Sequence, residues 1–296
     1  MDPNKNDAVA NQPPLRDVIA RAGLNARKSL GQHFLLDLNL TTRIARAAGD
    51  INGATVIEIG PGPGGLTRSI LAEGADHIIA IEKDHRCRDA LQPLVDAAKG
   101  RLELIDADAL ELVEPDLIRS HNLDPKQICL IANLPYNIAT ELIVRWLRLT
   151  YDDPELFKAM VITIQKEVGT RLCAGPHSKA YGRLSVMSQW LCKADIVFDI
   201  GARAFTPPPN VTSSVIRLIP RAQPIAPAPW DEMQGMVRHA FGQRRKMLRS
   251  SLKSLGPDVD LGALFADSGV APDVRAEAVD VEGFCALARA WADQRK

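Results

Sequence analysis

Five short apolar runs recur along the chain, at residues 55–59, 77–81, 102–105, 128–132 and 160–164. Each is strand-length, and each is separated from the next by a segment long enough for a helix. Short runs with little polar alternation need both faces covered, which predicts a parallel, doubly wound α/β sheet with crossover helices. Two later runs, 196–198 and 215–219, bring the expected strand count to seven and are expected to close the sheet as an antiparallel hairpin. Residues 38–48 carry helical spacing ahead of the first strand. Pro220, Pro224, Pro227 and Pro229 suit an extended linker, and after Trp230 only helical patterns follow. The expected organisation is a disordered tail over residues 1–20, an α/β domain over 21–222 and a small all-α domain over 230–296.

Composition narrows the function. Lys plus Arg and Asp plus Glu both number 36, which excludes a globally basic coat but leaves room for a local basic patch. Five scattered cysteines with no C-x-x-C pair argue against a disulfide framework or a structural zinc, and the six histidines show no ligand spacing, so no metal is expected. No run approaches about 18 apolar residues and residues 1–16 lack a signal-like apolar stretch. A cytoplasmic protein with no membrane contact is expected.

The first strand runs into Glu58-Ile59-Gly60-Pro61-Gly62-Pro63-Gly64-Gly65-Leu66-Thr67. Gly60, Gly62 and Gly65 satisfy G-x-G-x-x-G, and Glu82 ends the second strand about twenty residues on, as in dinucleotide sites. The pattern fits S-adenosylmethionine, a nicotinamide or flavin cofactor, or a tight turn alone. Two prolines remove N–H groups that a phosphate nest would need, and Glu58 suits a cationic methionine end, so adenosylmethionine is favoured. Asp106 and Asp108 follow the third strand, where an acid can accept the cofactor's adenine amine or simply cap a turn.

Asn133-Leu134-Pro135-Tyr136 follows the fourth strand, beside the switch point where ligands bind in such sheets. The adenine exocyclic amine is a poor nucleophile because its lone pair is delocalised. Two acceptors, the Asn133 side-chain oxygen and a Leu134 carbonyl fixed by Pro135, favour a pyramidal nitrogen, and Tyr136 can stack on the base. The alternative is a helix cap followed by an ordinary Pro at a helix start.

Taken together, these motifs resemble the small-subunit ribosomal RNA adenine N6,N6-dimethyltransferases. The resemblance runs from about Arg27 to the C-terminal helices. It is carried by Lys28-Ser29-Leu30-Gly31-Gln32-His33-Phe34-Leu35, residues 58–67, Ile81-Glu82-Lys83-Asp84, Asp108-Ala109-Leu110 and residues 133–140. Further on come Gln165-Lys166-Glu167-Val168, residues 178–186, Phe205-Thr206-Pro207-Pro208-Pro209-Asn210-Val211 and residues 241–249. The family usually has Asn where His33 stands, and His can give or take one hydrogen bond in a different geometry. The resemblance implies a Rossmann-like class I methyltransferase domain. It implies transfer of methyl groups from S-adenosylmethionine to N6 of two adjacent adenines in the 3′-terminal hairpin loop of small-subunit rRNA, within a pre-30S particle, with a possible assembly role besides. It also implies that His33, Leu35, Gly60, Glu82, Asp108 and Asn133 line the cofactor. Asn133, Leu134, Pro135 and Tyr136 would act at the target base and Phe205 would cover its other face, unless Phe205 is a core aromatic.

RNA contact needs local positive charge. Residues 233–257 hold six basic residues and no acid: Arg238, Arg244, Arg245, Lys246, Arg249 and Lys253. Arg245, Arg249 and Lys253 share a face if that stretch is one helix, which suits phosphates or a merely solvated face. Lys179, Tyr181 and Arg183 form a second basic and aromatic segment. Alternatives are N6-adenine methylation of another RNA or of DNA, a non-catalytic assembly factor, and a nicotinamide oxidoreductase. The last leaves residues 133–136 unexplained.

Overall fold

The computed structural model describes residues 8–24 and 32–295. The seven runs form one sheet of strands β1 (Thr55–Ile59), β2 (His77–Glu82), β3 (Leu102–Asp106), β4 (Ile128–Asn133), β5 (Ala159–Gln165), β6 (Cys192–Ile200) and β7 (Ser213–Pro220), in the order β3-β2-β1-β4-β5-β7-β6. Strands β1 to β5 pair in parallel and β7 runs antiparallel to β5. The order reverses between β1 and β4, which places the switch point between the glycine loop and Asn133. The central strands are apolar on both faces because helices cover both: Val56, Ile57, Ile78, Ile79, Leu130 and Ile131 are fully buried. Strand β6 is longer than its apolar run. It lies at the sheet edge, where all but its two end residues are partly or fully exposed, so its sequence reads as mixed.

The glycine loop is shaped by backbone that a side chain would obstruct. Gly62 has φ +56, and a Cβ on Gly65 would stand 2.5 Å from the Leu35 carbonyl oxygen. The helix Gly65–Ala72 starts there.

Disorder through residue 20 is not what the structure shows from residue 8 onward. Residues Leu15–Arg21 form a helix, with Asp17 in its first turn and Arg21 in its last, as the helix dipole favours. Leu15 is buried, with its side chain 3.2 Å from where a Gly65 Cβ would sit, and Arg68 donates to the Pro13 carbonyl at 2.7 Å. The helix is held by these tertiary contacts, since seven residues are too few to be stable alone. Residues 1–7 of the expected tail, and Lys28 to Gly31 of the N-terminal motif, lie outside the described residues.

The division into compact units also departs from the expected boundary. One unit holds the chain to Trp146, with Glu155–Lys166 and Asp195–Ile219; the other holds Leu147–Pro154, Glu167–Ala194 and Pro220–Lys296. The second unit therefore begins well before the proline-rich stretch. Its aromatic centre explains why: Trp190 stacks on Trp230 at 6.1 Å, Tyr151 lies 5.3 Å from Trp190, and Tyr181 meets Phe241 edge-on at 5.9 Å. Its C-terminal portion is helical over Trp230–Gly242, Leu248–Ser251, Leu261–Ser268 and Val281–Asp293. Among the described residues no helix is long and apolar enough to cross a membrane.

Candidate active site

A cleft of about 260 Å³ opens at the carboxyl ends of β1, β2, β3 and β4. Gly60, Gly62, Glu82, Asp108, His33 and residues 133–138 line it, so most of the predicted site residues converge there from separate parts of the chain. Gln32, Phe34, Lys83 and Asp84 line it as well and were not singled out by sequence.

Glu82 is 7% exposed and holds the loop in place. Its Oε2 accepts from the Gly62 N–H at 3.1 Å and its Oε1 from the Asp84 N–H at 2.8 Å. Burial pushes its pKa up, while those two N–H groups pull the other way. A carboxylate offers about four acceptor positions, so these contacts leave acceptor capacity for a ligand hydroxyl. Asp84 accepts from Arg86 and Gln32, and the Arg86 guanidinium holds it down at about 2. Asp108 accepts from the Leu110 N–H at 3.0 Å through Oδ1 and pairs with Lys83 at 2.5 Å through Oδ2. Here the turn cap and the cleft wall are the same residue. Asp106 is exposed, pairs with Arg88 and lies outside the cleft lining.

Glu58 behaves differently from the expectation of a charge aimed at a cationic ligand. It is 1% exposed, and burial pushes its pKa up to about 8, with the Thr67 hydroxyl pulling the other way. It is not part of the cleft lining.

Asn133 is oriented from outside its own strand. Its Nδ2 donates to the His33 carbonyl at 2.9 Å, which leaves Oδ1 as the free end of the amide. The helix that follows begins only at Ala139, so Asn133 is not a helix cap. The Leu134 N–H donates to the Thr163 carbonyl at 3.2 Å, and Pro135 to Tyr136 form the cleft rim. Tyr136 bonds Ser213 at 2.7 Å, and its ring centroid lies 5.5 Å from that of His33 at a 31° tilt. The His33 ring is itself held, with Nδ1 2.8 Å from the Pro207 carbonyl oxygen.

Two predicted site residues lie elsewhere. Leu35 and Phe205 are 5% and 2% exposed, belong to the hydrophobic core and pair with each other in a two-residue antiparallel ribbon. Neither lines the cleft; the apolar side chains are taken up by packing under the glycine loop.

The basic residues also separate. Arg244 is committed to structure: it donates to the carbonyls of Lys179 and Tyr181 at 2.6 and 2.7 Å and pairs with Glu277 at 3.2 Å. Tyr181 is fully buried and cannot face a substrate. Arg245, Lys246, Arg249 and Lys253 are exposed, as are Lys179 and Arg183. They do not form a single helical stripe, because the helix ends at Gly242 and the next covers only Leu248–Ser251. A bridge between Met247 and Arg275 holds the intervening turn.

Among the described residues no group of three or more His, Cys, Asp or Glu could hold a metal ion. The cleft does fit an adenosine-type cofactor. It offers remaining acceptor capacity on Glu82, a carboxylate at Asp108 and backbone at Gly60 and Gly62 that a ligand can approach closely. A doubly wound sheet in this strand order, with that cleft at its switch point, defines a class I methyltransferase. Two solved structures share the fold: a dimethyladenosine transferase from Plasmodium falciparum (TM-score 0.71, 25% identity, 89% of this chain and 98% of that one) and the 23S rRNA methyltransferase ErmE (TM-score 0.63, 25% identity, 88% and 99%). The family model described as ribosomal RNA adenine dimethylase matches residues 23–293. The chain is also similar to proteins named ribosomal RNA small subunit methyltransferase A. The one from Azorhizobium caulinodans is 53% identical over 97% of this chain and 96% of its own length. The one from Paramagnetospirillum magneticum is 55% identical over 95% and 96%. The chain belongs to the ribosomal RNA adenine dimethylase family.

Proposed function

We propose that this methyltransferase moves methyl groups from S-adenosylmethionine to N6 of two adjacent adenines in the 3′-terminal hairpin loop of 16S small-subunit rRNA, acting in the cytoplasm on a pre-30S particle. The observation that carries the reading is the Asn133 amide, turned by the His33 carbonyl so that its oxygen is the free acceptor at the rim of the cleft beside Tyr136.

The residue roles follow from chemistry. Glu82 accepts from the ribose hydroxyls, Asp108 from the adenine amine of the cofactor, and Gly60 and Gly62 allow close backbone approach. His33 contributes through its backbone beside Asn133. Bound adenosylmethionine supplies an electrophilic methyl group on sulfonium. Asn133 Oδ1 and the Leu134 carbonyl accept from the target N6 hydrogens, which favours a pyramidal nitrogen with its lone pair available. Pro135 stiffens that carbonyl, and Tyr136 stacks on the base once it leaves its own stack. Positioning and preorganised acceptors carry the rate. No strong base is needed, because the methylated amine loses its proton readily to water.

The second unit supplies the RNA surface in this reading, through residues 230–296 and the exposed Lys179 and Arg183. With Arg244 committed to structure, Arg245, Lys246, Arg249 and Lys253 remain for phosphates. Arg245→Ala with Arg249→Ala is expected to weaken binding to small-subunit particles. Losing about two phosphate contacts lowers the log–log salt slope by about 1.4–1.8. Adenosylmethionine affinity should stay unchanged, since the cleft is built from the first unit alone. A titration series in salt checks this; an unaltered slope assigns these arginines to a solvated face.

The function itself is tested by incubating the purified protein with labelled adenosylmethionine and unmethylated small subunits, large subunits or DNA, followed by nucleoside analysis. N6,N6-dimethyladenosine confined to small-subunit rRNA is expected. Label only in large subunits or DNA overturns the substrate assignment.

A further inference from the structure

We propose that Lys83 is a clasp over the cleft: its side chain, tied to Asp108 across two neighbouring strand ends, roofs the adenine end of the bound cofactor and slows its departure. The proposal rests on the cofactor reading above.

Lys83 follows β2 and Asp108 lies just beyond β3, and these strands are paired in register with Glu82 opposite Asp106. Lys83 Nζ lies 2.5 Å from Asp108 Oδ2, and both residues line the cleft. The cleft volume of about 260 Å³ is present with the ion pair made, so the pair leaves room for a ligand beside it. Both ends of the bridge are anchored. Arg88 Nη1 donates to the carbonyls of Glu82 and Lys83 at 3.2 and 3.1 Å and pairs with Asp106 at 2.5 Å, which fixes the root of the lysine. The Leu110 N–H fixes Asp108 through its other oxygen at 3.0 Å.

A carboxylate has about four acceptor positions, and these contacts use two. Asp108 can therefore take an adenine amine without releasing Lys83. The lysine stem then lies against an apolar ring face while its ammonium stays in water and on the carboxylate. The Lys83 side chain is 62% exposed and that of Asp108 20%, so the bridge sits at the rim, where salt screens it and it can open and reclose.

The test uses S-adenosylhomocysteine, which carries no net charge, with affinity measured by calorimetry and dissociation by stopped-flow. Lys83→Ala should weaken affinity by about threefold to tenfold, mostly through faster dissociation, the scale of one exposed ion pair plus its covering stem. Lys83→Met keeps the stem and loses the charge. It should fall between the two proteins, and its dissociation rate should no longer rise with salt as the wild type's does. In an Asp108→Ala background, Lys83→Ala should add little. Affinity and dissociation unchanged in Lys83→Ala, or tighter binding, overturns the clasp. If the wild type itself fails to bind, the cofactor reading fails first. If the wild type binds and Glu82→Ala loses the ligand while Lys83→Ala does not, the clasp alone fails. Thermal melts check that each variant is folded, which is expected for the Lys83 variants because that side chain is 62% exposed.

Discussion

Asn133→Ala lowers turnover by about 10²–10³, the usual cost of removing one preorganised acceptor at a reacting centre, and leaves the fold nearly intact. The side chain is half-buried, and its hydrogen bond is to a single backbone carbonyl, that of His33. Losing that bond costs about 0.5–1.5 kcal/mol of stability, within the reach of a domain this size. Catalysis suffers more because the lost oxygen matters chiefly as N6 becomes pyramidal on the way to the transition state. The second transfer is hit at least as hard as the first. A monomethylated amine has one hydrogen left to donate, so it can no longer be held by two bonds. The variant should accumulate N6-monomethyladenine over the dimethyl product. Mass spectrometry of digested rRNA reads the ratio directly; dimethyladenine formed at near wild-type rate removes Asn133 from the mechanism.

Glu82→Ala weakens adenosylmethionine binding by about 1.5–3 kcal/mol, the range for hydrogen bonds to a charged acceptor. Two ligand hydroxyls lose their partner, and the Gly62 N–H loses the carboxylate that holds the loop. Glu82→Gln retains bulk and one acceptor oxygen, so its loss should be smaller. The pH dependence has a definite sign. The hydroxyls favour the ionised carboxylate, while burial raises the Glu82 pKa in the free protein. Affinity should therefore decline on acidification, starting above the pH at which an ordinary glutamate protonates. Calorimetry across pH tests both points; full affinity in Glu82→Ala, or affinity rising toward acid, assigns Glu82 to holding the loop alone.

The parts of this protein that were readable from sequence are those whose physics is local. Strands β1, β2, β4 and β5 announce themselves because a strand covered on both faces must be largely apolar, while β3, at the sheet edge, is only partly buried. The glycine loop and Glu82 are readable because close approach demands glycine and a strand end presents the acid. Asn133 and Tyr136 fall at a strand end that the alternation alone locates. What was missed is decided by distant partners. Phe205 and Leu35 look like site residues along the chain, yet a two-residue pairing across 170 positions of sequence carries them into the core. Arg244 and Arg245 are chemically identical neighbours. Only the fold shows that one clamps carbonyls of the 178–181 loop while the other faces solvent. The helix at Leu15–Arg21 is too short to be recognised by periodicity and exists because Leu15 and Pro13 meet the helix after the glycine loop.

The amide of Asn133 takes its bearing from a main-chain oxygen, and every residue type carries that same oxygen. A change of side chain at position 33 therefore leaves in place the oxygen that holds the amide. The side chain at 33 answers to a different partner, the Pro207 carbonyl, and to the face of Tyr136. The two halves of one residue thus have separate partners: its backbone holds Asn133, and its side chain meets Pro207 and Tyr136. For an engineer this marks 33 as a place to alter the wall beside Tyr136 while Asn133 keeps its aim.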